Sequence, residues 1–316
     1  MPGALRTLTV ISPVYNEAAV IEKFYHELKS QLDKLSDRYV SKILFVVDRC
    51  TDETLVILKK IAHVDPSVQI LALSSRFGHQ MSLLAGIDHA DSDAIVMMDC
   101  DLQHPPEVIP ELLSAFEKGS DVVYTIRKDA GHTGFLKKSS SKWFYGLINR
   151  ISDIPINESA ADFRLISRRV ANVFKEHLRE RNLFLRGLIS WVGFSQSAVS
   201  FTVCPRVGGA SKYSFGRLVR FSMNGILSFS KKPLQAAIFI GIAFAGLGFI
   251  MAFVTFIQYC MKFVLPSGWT TLVILFSVFS GIQLIFLGII GEYIGGIFDE
   301  VKKRPHYIVE ERTNLL

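Results

Sequence analysis

Up to about residue 125, short β-rich apolar runs alternate with amphipathic stretches. The runs lie at 8–14, 42–47, 68–74 and 94–98, and the stretches at 18–35, 52–63 and 80–90. Apolar runs of strand length separated by helix-period segments predict a parallel sheet with crossover helices, an α/β arrangement. In such sheets ligands bind beyond the carboxyl ends of the strands. Three of the four runs end in polar clusters: Pro13-Val14-Tyr15-Asn16-Glu17, Asp48-Arg49-Cys50-Thr51-Asp52 and Asp99-Cys100-Asp101-Leu102-Gln103. These clusters are expected to converge on one crevice.

From roughly 126 to 232 the chain turns basic and less regular. Within it, 215–229 places Phe215, Leu218, Val219, Ser222, Ile226 and Phe229 on one helical side, with Arg217 and Arg220 toward another. That pattern describes a helix lying in a membrane interface, and equally an ordinary surface helix. Two stretches then carry no charge at all, Leu234 to Met261 and Thr270 to Gly291. Each exceeds the roughly 20 residues that span a bilayer, so a transmembrane hairpin is expected. Lys231-Lys232 before the first stretch and Lys302-Lys303-Arg304 after the second put both flanks in the cytoplasm by the positive-inside rule.

Composition agrees with this division. Of 316 residues 49% are hydrophobic, and the formal charge of +6 suits an anionic partner: nucleic acid, a membrane surface or a phosphorylated substrate. The four cysteines, Cys50, Cys100, Cys204 and Cys260, have neither zinc-site spacing nor disulfide density, and read as packing residues in a reducing compartment. The opening residues carry no basic-then-apolar leader, so the first domain is expected to stay cytoplasmic.

The densest chemistry is Asp99-Cys100-Asp101. Alternate residues of a strand share a face, so two carboxylates at the exposed end of a buried strand can enter one site. Together with the neutral oxygen of Gln103 they suit Mg²⁺ or Mn²⁺, substrate phosphates filling the remaining shell. A solvated turn before the helix at Pro105-Pro106 is the competing reading of Asp-x-Asp taken alone. His79, His104 and His132 lack regular ligand spacing and read as polar surface or supporting residues.

With the strand-end clusters in place, the chain resembles glycosyltransferase family 2, in particular its polyprenyl-phosphate glycosyltransferases such as the bactoprenol glucosyltransferases and dolichol-phosphate mannose synthase. Further segments carry the resemblance over nearly the whole chain: Ser75-Arg76-Phe77-Gly78 leading to Leu84-Ala85-Gly86, Ala161-Asp162-Phe163-Arg164-Leu165, Arg206-x-x-Gly209-x-Ser211-Lys212-Tyr213, and Gly291-Glu292-Tyr293-Ile294-Gly295. It implies a GT-A nucleotide-binding domain at 1–213, an interfacial amphipathic helix at 214–232, two transmembrane helices within 233–297 (about 234–261 and 270–291) and a cytoplasmic tail at 298–316. The implied place is the bacterial inner membrane, with both termini cytoplasmic. The implied partners are a nucleotide sugar, a polyprenyl phosphate and the membrane, and not nucleic acid.

By the same resemblance, Pro13, Tyr15, Glu17, Asp48 and Asp99 hold the nucleotide, and Asp101 and Gln103 bind the metal with or without Asp99. Arg127, Lys137, Ser141, Arg206 and Lys212 meet the lipid phosphate, cations being needed where two anions are brought together. The family pattern has two aspartates after the second strand, whereas this chain has Val47-Asp48, which leaves UDP preferred over GDP without fixing it. The reaction implied is one inverting displacement by the lipid phosphate. Asp162, with Arg164 beside it, either orients or deprotonates the acceptor, or forms an ion pair with Arg164 or Arg168. A processive polysaccharide synthase is the nearest alternative, but Arg186-Gly187-Leu188-Ile189-Ser190-Trp191 does not match its Gln-x-x-Arg-Trp motif. A silent scaffold that binds a sugar nucleotide is the other. The hairpin glycines 241, 246, 248, 288 and 291 allow close helix packing between protomers, and a tetramer is implied. The tail from Pro305 to Glu310 is a candidate strand for a neighbour's domain.

Overall fold

A computed structural model describes residues 5–128, 160–181, 183–202, 232–261 and 268–315. The 215–229 helix expected from the sequence lies outside them. The chain divides into two compact units, and the C-terminal Arg304–Leu316 belongs to the first.

In the first unit, strands β1 (Arg6–Val14), β2 (Tyr39–Asp48), β3 (Val68–Leu73) and β4 (Ala94–Met97) alternate with helices α1 (Ile21–Asp33), α2 (Thr54–Val64) and α3 (His79–His89). After α4 (Ile109–Glu117) come β5 (Val122–Lys128), β6 (Ala160–Ser167), α5 (Arg168–Glu176), α6 (Leu185–Trp191) and β7 (Gln196–Thr202). With β8 (Val309–Thr313), the strands form one mixed sheet in the order β7-β5-β6-β4-β1-β2-β3-β8. Strands β3, β2, β1 and β4 run parallel, and β6 is antiparallel to both β4 and β5.

The parallel strands are covered on both faces. Leu8, Val10 and Val14 of β1 belong to one core with Phe24 and Leu28 of α1 and Leu58 of α2. On the opposite face α3 lies so close that a Cβ at Gly86 would sit 2.3 Å from Ile11 Cγ2, which only glycine avoids. The chain builds β2 and β3 on one side of β1, then returns to build β4 on the other. That reversal opens a crevice at the carboxyl ends of β1 and β4, the position where parallel α/β sheets take ligands.

Strand β8 runs antiparallel along β3 of the same chain, pairing Ile70 with Thr313 and Leu73 with Val309. The tail at Pro305 to Glu310, a candidate strand for a neighbour's domain, instead leads into a strand at Val309–Thr313 that pairs within its own chain.

The second unit contains α7 (Lys232–Cys260) and α8 (Trp269–Val301). Their apolar stretches Ala237–Gln258 and Ile274–Val301 are 22 and 28 residues long, and none of the described residues in either stretch is buried. Phe239, Phe249, Phe276 and Leu284 are exposed. Helices apolar all round and uncovered are candidate membrane spans, since water would penalise that surface. Within this unit Phe244 and Phe279 meet edge to face at 5.6 Å.

Candidate active site

The loops after β1 and β2 are tied into one latch. Asn16 has φ 55°, a left-handed conformation that asparagine tolerates better than most residues. Its amide donates to Thr51 Oγ1 at 3.0 Å and its carbonyl oxygen accepts from Thr51 N–H at 2.8 Å. Asp52 accepts from Ala18 N–H and from Thr54 N–H. Burial opposes ionisation of Asp52, but these donors outweigh it and hold its pKa below the ordinary value. The half-buried ring of Tyr15 lies beneath the guanidinium of exposed Arg76 at 4.1 Å, a cation–π contact. Pro13 is buried, and Glu17 is half-buried with its N–H bonded to Thr54 Oγ1 at 3.0 Å.

Asp48 is 4% exposed and turns both carboxylate oxygens onto backbone, accepting from Phe77 N–H at 2.7 Å and Gly78 N–H at 2.9 Å. Gly78 has φ +89°, a conformation that suits glycine. Asp48 therefore shapes the loop that carries Arg76 and opens α3.

The third cluster begins at Asp99. Its N–H donates to His104 Nδ1 at 3.1 Å, and its Oδ1 lies 2.8 Å from His79 Nε2, the first residue of α3. Burial works against the ion at Asp99, yet the His79 contact lowers its pKa; burial works against imidazolium at His79, yet Asp99 raises it. His104 is buried, stacked on Phe163 at 5.2 Å, and burial drives its pKa down. Arg127, exposed on β5, brings Nη2 to 3.5 Å from His104 Nε2. Asp101 Oδ1 accepts from Gln103 N–H at 3.1 Å, closing a turn in which the buried Leu102 has φ 62°. A left-handed leucine is strained by roughly 1–3 kcal/mol, and such strain collects at functional loops.

The register between β4 and β6 brings the fourth group to the same rim. Met97 pairs antiparallel with Arg164, so two residues on, Asp99 and Asp162 continue side by side. Asp162 receives two hydrogen bonds of 2.6 Å from Arg186 of α6, through Nε and Nη2. Arg164, 4% exposed, brings Nη2 to 4.0 Å from the same carboxylate. Burial disfavours the charge on Asp162, but the two guanidiniums hold its pKa far below the usual carboxylate range. Burial lowers Arg164 to about 10, Asp162 opposing the shift. Arg168 turns away to Asp91 and Asp93 at 3.1 and 3.5 Å, so of the two arginines expected from the sequence Arg164 pairs with Asp162, and Arg186, which was not expected, is the closer partner.

Strand ends thus bring together Tyr15, Asp48, Asp99, Asp101, Gln103, Asp162 and Arg164, and add His79, Arg76 and Arg186. A buried aspartate needs a counter-cation, and that requirement was the signal available for Arg186. Lys137, Ser141, Arg206 and Lys212 lie outside the described residues. Among the described residues no three His, Cys, Asp or Glu side chains gather into a metal cage. The donors that are present, Asp99, Asp101 and Gln103, are hard oxygens. They fit a Mg²⁺ or Mn²⁺ bound by one or two carboxylates and completed by substrate phosphates.

Residues 9–174 match the profile of glycosyl transferase family 2. An uncharacterised glycosyltransferase of Bacillus subtilis, YkcC, is 41% identical over 96% of this chain and 93% of its own length. A prophage-derived bactoprenol glucosyl transferase of Shigella flexneri is 38% identical over 96% of this chain and 97% of its own. Among solved structures, glucosyl-3-phosphoglycerate synthase from Mycobacterium tuberculosis, with Mn²⁺, UDP-glucose and phosphoglyceric acid, aligns over 70% of this chain and 78% of its own at 17% identity and TM-score 0.45.

Proposed function

This chain belongs to glycosyl transferase family 2, and from that premise we propose that it transfers a glucosyl group, or another hexosyl group, from a UDP-sugar to a polyprenyl phosphate. One observation carries the reading: a carboxylate-rich crevice adjoins the cationic Asp162, Arg164 and Arg186 group in a chain that also holds two uncovered apolar helices. Full-length similarity to bactoprenol glucosyl transferases supports the lipid acceptor.

In this reading the stacked Tyr15 and Arg76 form one wall of the base site, and Pro13 and Glu17 line the ribose side. Asp48 keeps the 77–78 loop in place beneath them. Asp101 and Gln103, with Asp99, would hold Mg²⁺ or Mn²⁺. When bound, the cation offsets the negative charge that grows on the departing diphosphate. His79 and the Asp99 N–H···His104 bond fix the Asp99 carboxylate and backbone from two sides. Arg164 and Asp162 stand on the acceptor side, where Arg127, Lys137, Ser141, Arg206 and Lys212 add polar and cationic contacts.

The basic residues flanking the two apolar helices argue for cytoplasmic flanks and a bacterial inner-membrane location. Glycines 241, 246, 248, 288 and 291 support close helix packing in a homotetramer.

The test incubates the detergent-purified protein with Mn²⁺, undecaprenyl phosphate and a panel of UDP- and GDP-sugars. Nucleotide release and lipid product are measured, with Asp101→Ala as control. The expected result is lipid-dependent release with one UDP-hexose, lowered by ~10²–10³-fold in the variant, as loss of a charge-stabilising group implies. Nucleotide binding without turnover of any donor would refute the reading.

A further inference from the structure

The pair formed by Asp162 and Arg186 lies at the substrate rim with its partners unequally exposed. The Asp162 side chain is 19% exposed and that of Arg186 37%, while Arg164 behind them is 5%. Two guanidiniums, those of Arg186 and Arg164, face the Asp162 carboxylate, and Asp99 stands beside it, so this corner is dense in charge of both signs. Arg186 is held from a second direction as well. Its neighbour Leu185 donates its N–H to Gln80 Oε1 at 3.1 Å, and His79, next to Gln80, contacts Asp99. The guanidinium is thus fixed relative to both the acidic crevice and β6.

The strand order β2-β1-β4-β6 separates two tasks. In the function proposed above, nucleotide groups belong to β1 and β2 and the diphosphate to the end of β4, while Arg186 meets β6 through Asp162. An inverting displacement needs its nucleophile across from the leaving diphosphate, which is the β6 side.

We propose that Arg186 binds the phosphate monoester of the acceptor lipid, and that Asp162 is a positioning residue that aims Arg186 and not the proton acceptor of the reaction. The proposal rests on the function given above. The chemistry needs no base. A phosphate monoester has its second pKa near ~6 and is already a dianion at neutral pH. One of its oxygens bonds to the anomeric carbon, the bond from that carbon to the diphosphate oxygen breaks, and the electron pair leaves with the nucleoside diphosphate. No proton moves. Asp162 already has both oxygens engaged by Arg186, an arrangement that orients a cation and opposes proton uptake.

The test measures KM for undecaprenyl phosphate and for the UDP-sugar separately, using the full-length protein in detergent, with kcat/KM followed from pH 5 to 8. Arg186→Gln is expected to raise the lipid KM at least tenfold and to change the donor KM less than twofold, and Arg186→Lys to recover part of the loss. Asp162→Asn is expected to be slower with its acid limb at the wild-type position, because that limb belongs to the lipid phosphate. Arg179→Gln, which removes another arginine bonded twice to one carboxylate, is the folding control. A higher donor KM with unchanged lipid KM would assign Arg186 to the nucleotide sugar. Loss of the acid limb in Asp162→Asn would make Asp162 the base. Either result overturns the proposal. Should Arg186→Gln fail to fold, Arg186→Lys decides by the same KM split. If the wild type forms no lipid product, the function reading fails, while weaker undecaprenyl-phosphate binding by Arg186→Gln would still support the phosphate site.

Discussion

Two aspartates in the first unit each hold an arginine by two hydrogen bonds. Arg186 bonds Asp162 at 2.6 and 2.6 Å, and Arg179 bonds Asp88 at 2.9 and 2.8 Å. The arginines are equally exposed, and both carboxylates are largely covered. Arg186 presents Nε and Nη2 to its aspartate and Arg179 presents Nη1 and Nη2, and the two pairs occupy different places in the fold. Asp162 lies at the carboxyl end of the sheet, beside Asp99 and a second guanidinium. Asp88 lies in the last turn of α3, where it also accepts from Tyr307 Oη at 2.7 Å and so ties the C-terminal segment to the domain. Arg181 Nη1 donates to Pro305 O at 3.0 Å in the same region. A two-bond arginine–carboxylate pair therefore does not by itself mark a ligand site. The neighbours do: near Asp162 they are charged and unevenly exposed, whereas near Asp88 they are a phenol and backbone carbonyls.

The strongest attempt to break this distinction is to change both carboxylates alike. Asp162→Asn is expected to lower lipid-product formation by ~10²-fold or more, an effect of the size seen when a charge-orienting group is lost. Asp88→Asn is expected to stay within about threefold of wild type. Equal losses in a steady-state assay would mean that both pairs are structural. The complementary change is smaller and reverses the ranking. Arg179→Gln is expected to reduce stability by ~1–2 kcal/mol, a partly exposed fork contributing less than a buried one. Thermal unfolding of the purified chain reads this, with kcat at permissive temperature as the check. A variant as stable as wild type would remove the strap from the argument.

A third test uses pH. The arginines lower the pKa of Asp162 in the folded chain, so the pair stabilises above the ordinary carboxylate value of ~3.9 and fades as pH falls toward the depressed one. The stability gap between wild type and Arg186→Gln is expected to be constant from pH 7 to 5 and to narrow below about 4. A gap that widens on acidification would contradict the sign. His79 runs the other way. Its pKa is raised, so its bond to Asp99 stabilises fully below ~6.5 and weakens as pH climbs through the raised value.

The sequence revealed the parallel half of this sheet because buried parallel strands read as uninterrupted apolar runs. Ile43 to Val47 and Ala94 to Met98 are such runs, and the polar residues that follow mark the ligand end. The other half was opaque. Strand β7, Gln196–Thr202, is mostly polar and half-exposed, and β6 carries Asp162 and Arg164 within its run. Their strand character comes from pairing with distant segments, which local periodicity does not encode. The site divides in the same manner. Asp99, Asp101 and Asp162 stand out within motifs, but Arg186 comes 24 residues after Asp162 on a short helix, with no spacing rule to join them. The sequence leaves His79 as a surface or supporting residue without naming its partner, because its contact with Asp99 depends on how α3 docks on the sheet.

The smallest effect concerns the phenol that closes the strap. Tyr307 is partly buried and its pKa is raised, by burial first and then by its bond to Asp88. Tyr307→Phe keeps the ring beside His89, 6.1 Å between centroids, and removes one hydrogen bond to a charged acceptor. Asp88 retains its fork with Arg179, so no carboxylate is left unpaired. The expected loss is ~0.5–1.5 kcal/mol, that of one hydrogen bond in a folded protein. Because β8 continues from this point along β3, the loss should first appear locally. Backbone amides of Val309–Thr313 are expected to exchange hydrogen faster than those of β1 or β4 in the same molecule. Unchanged exchange in β8 would place the hold on the tail in the β3–β8 pairing itself and leave Asp88 with only its arginine to orient.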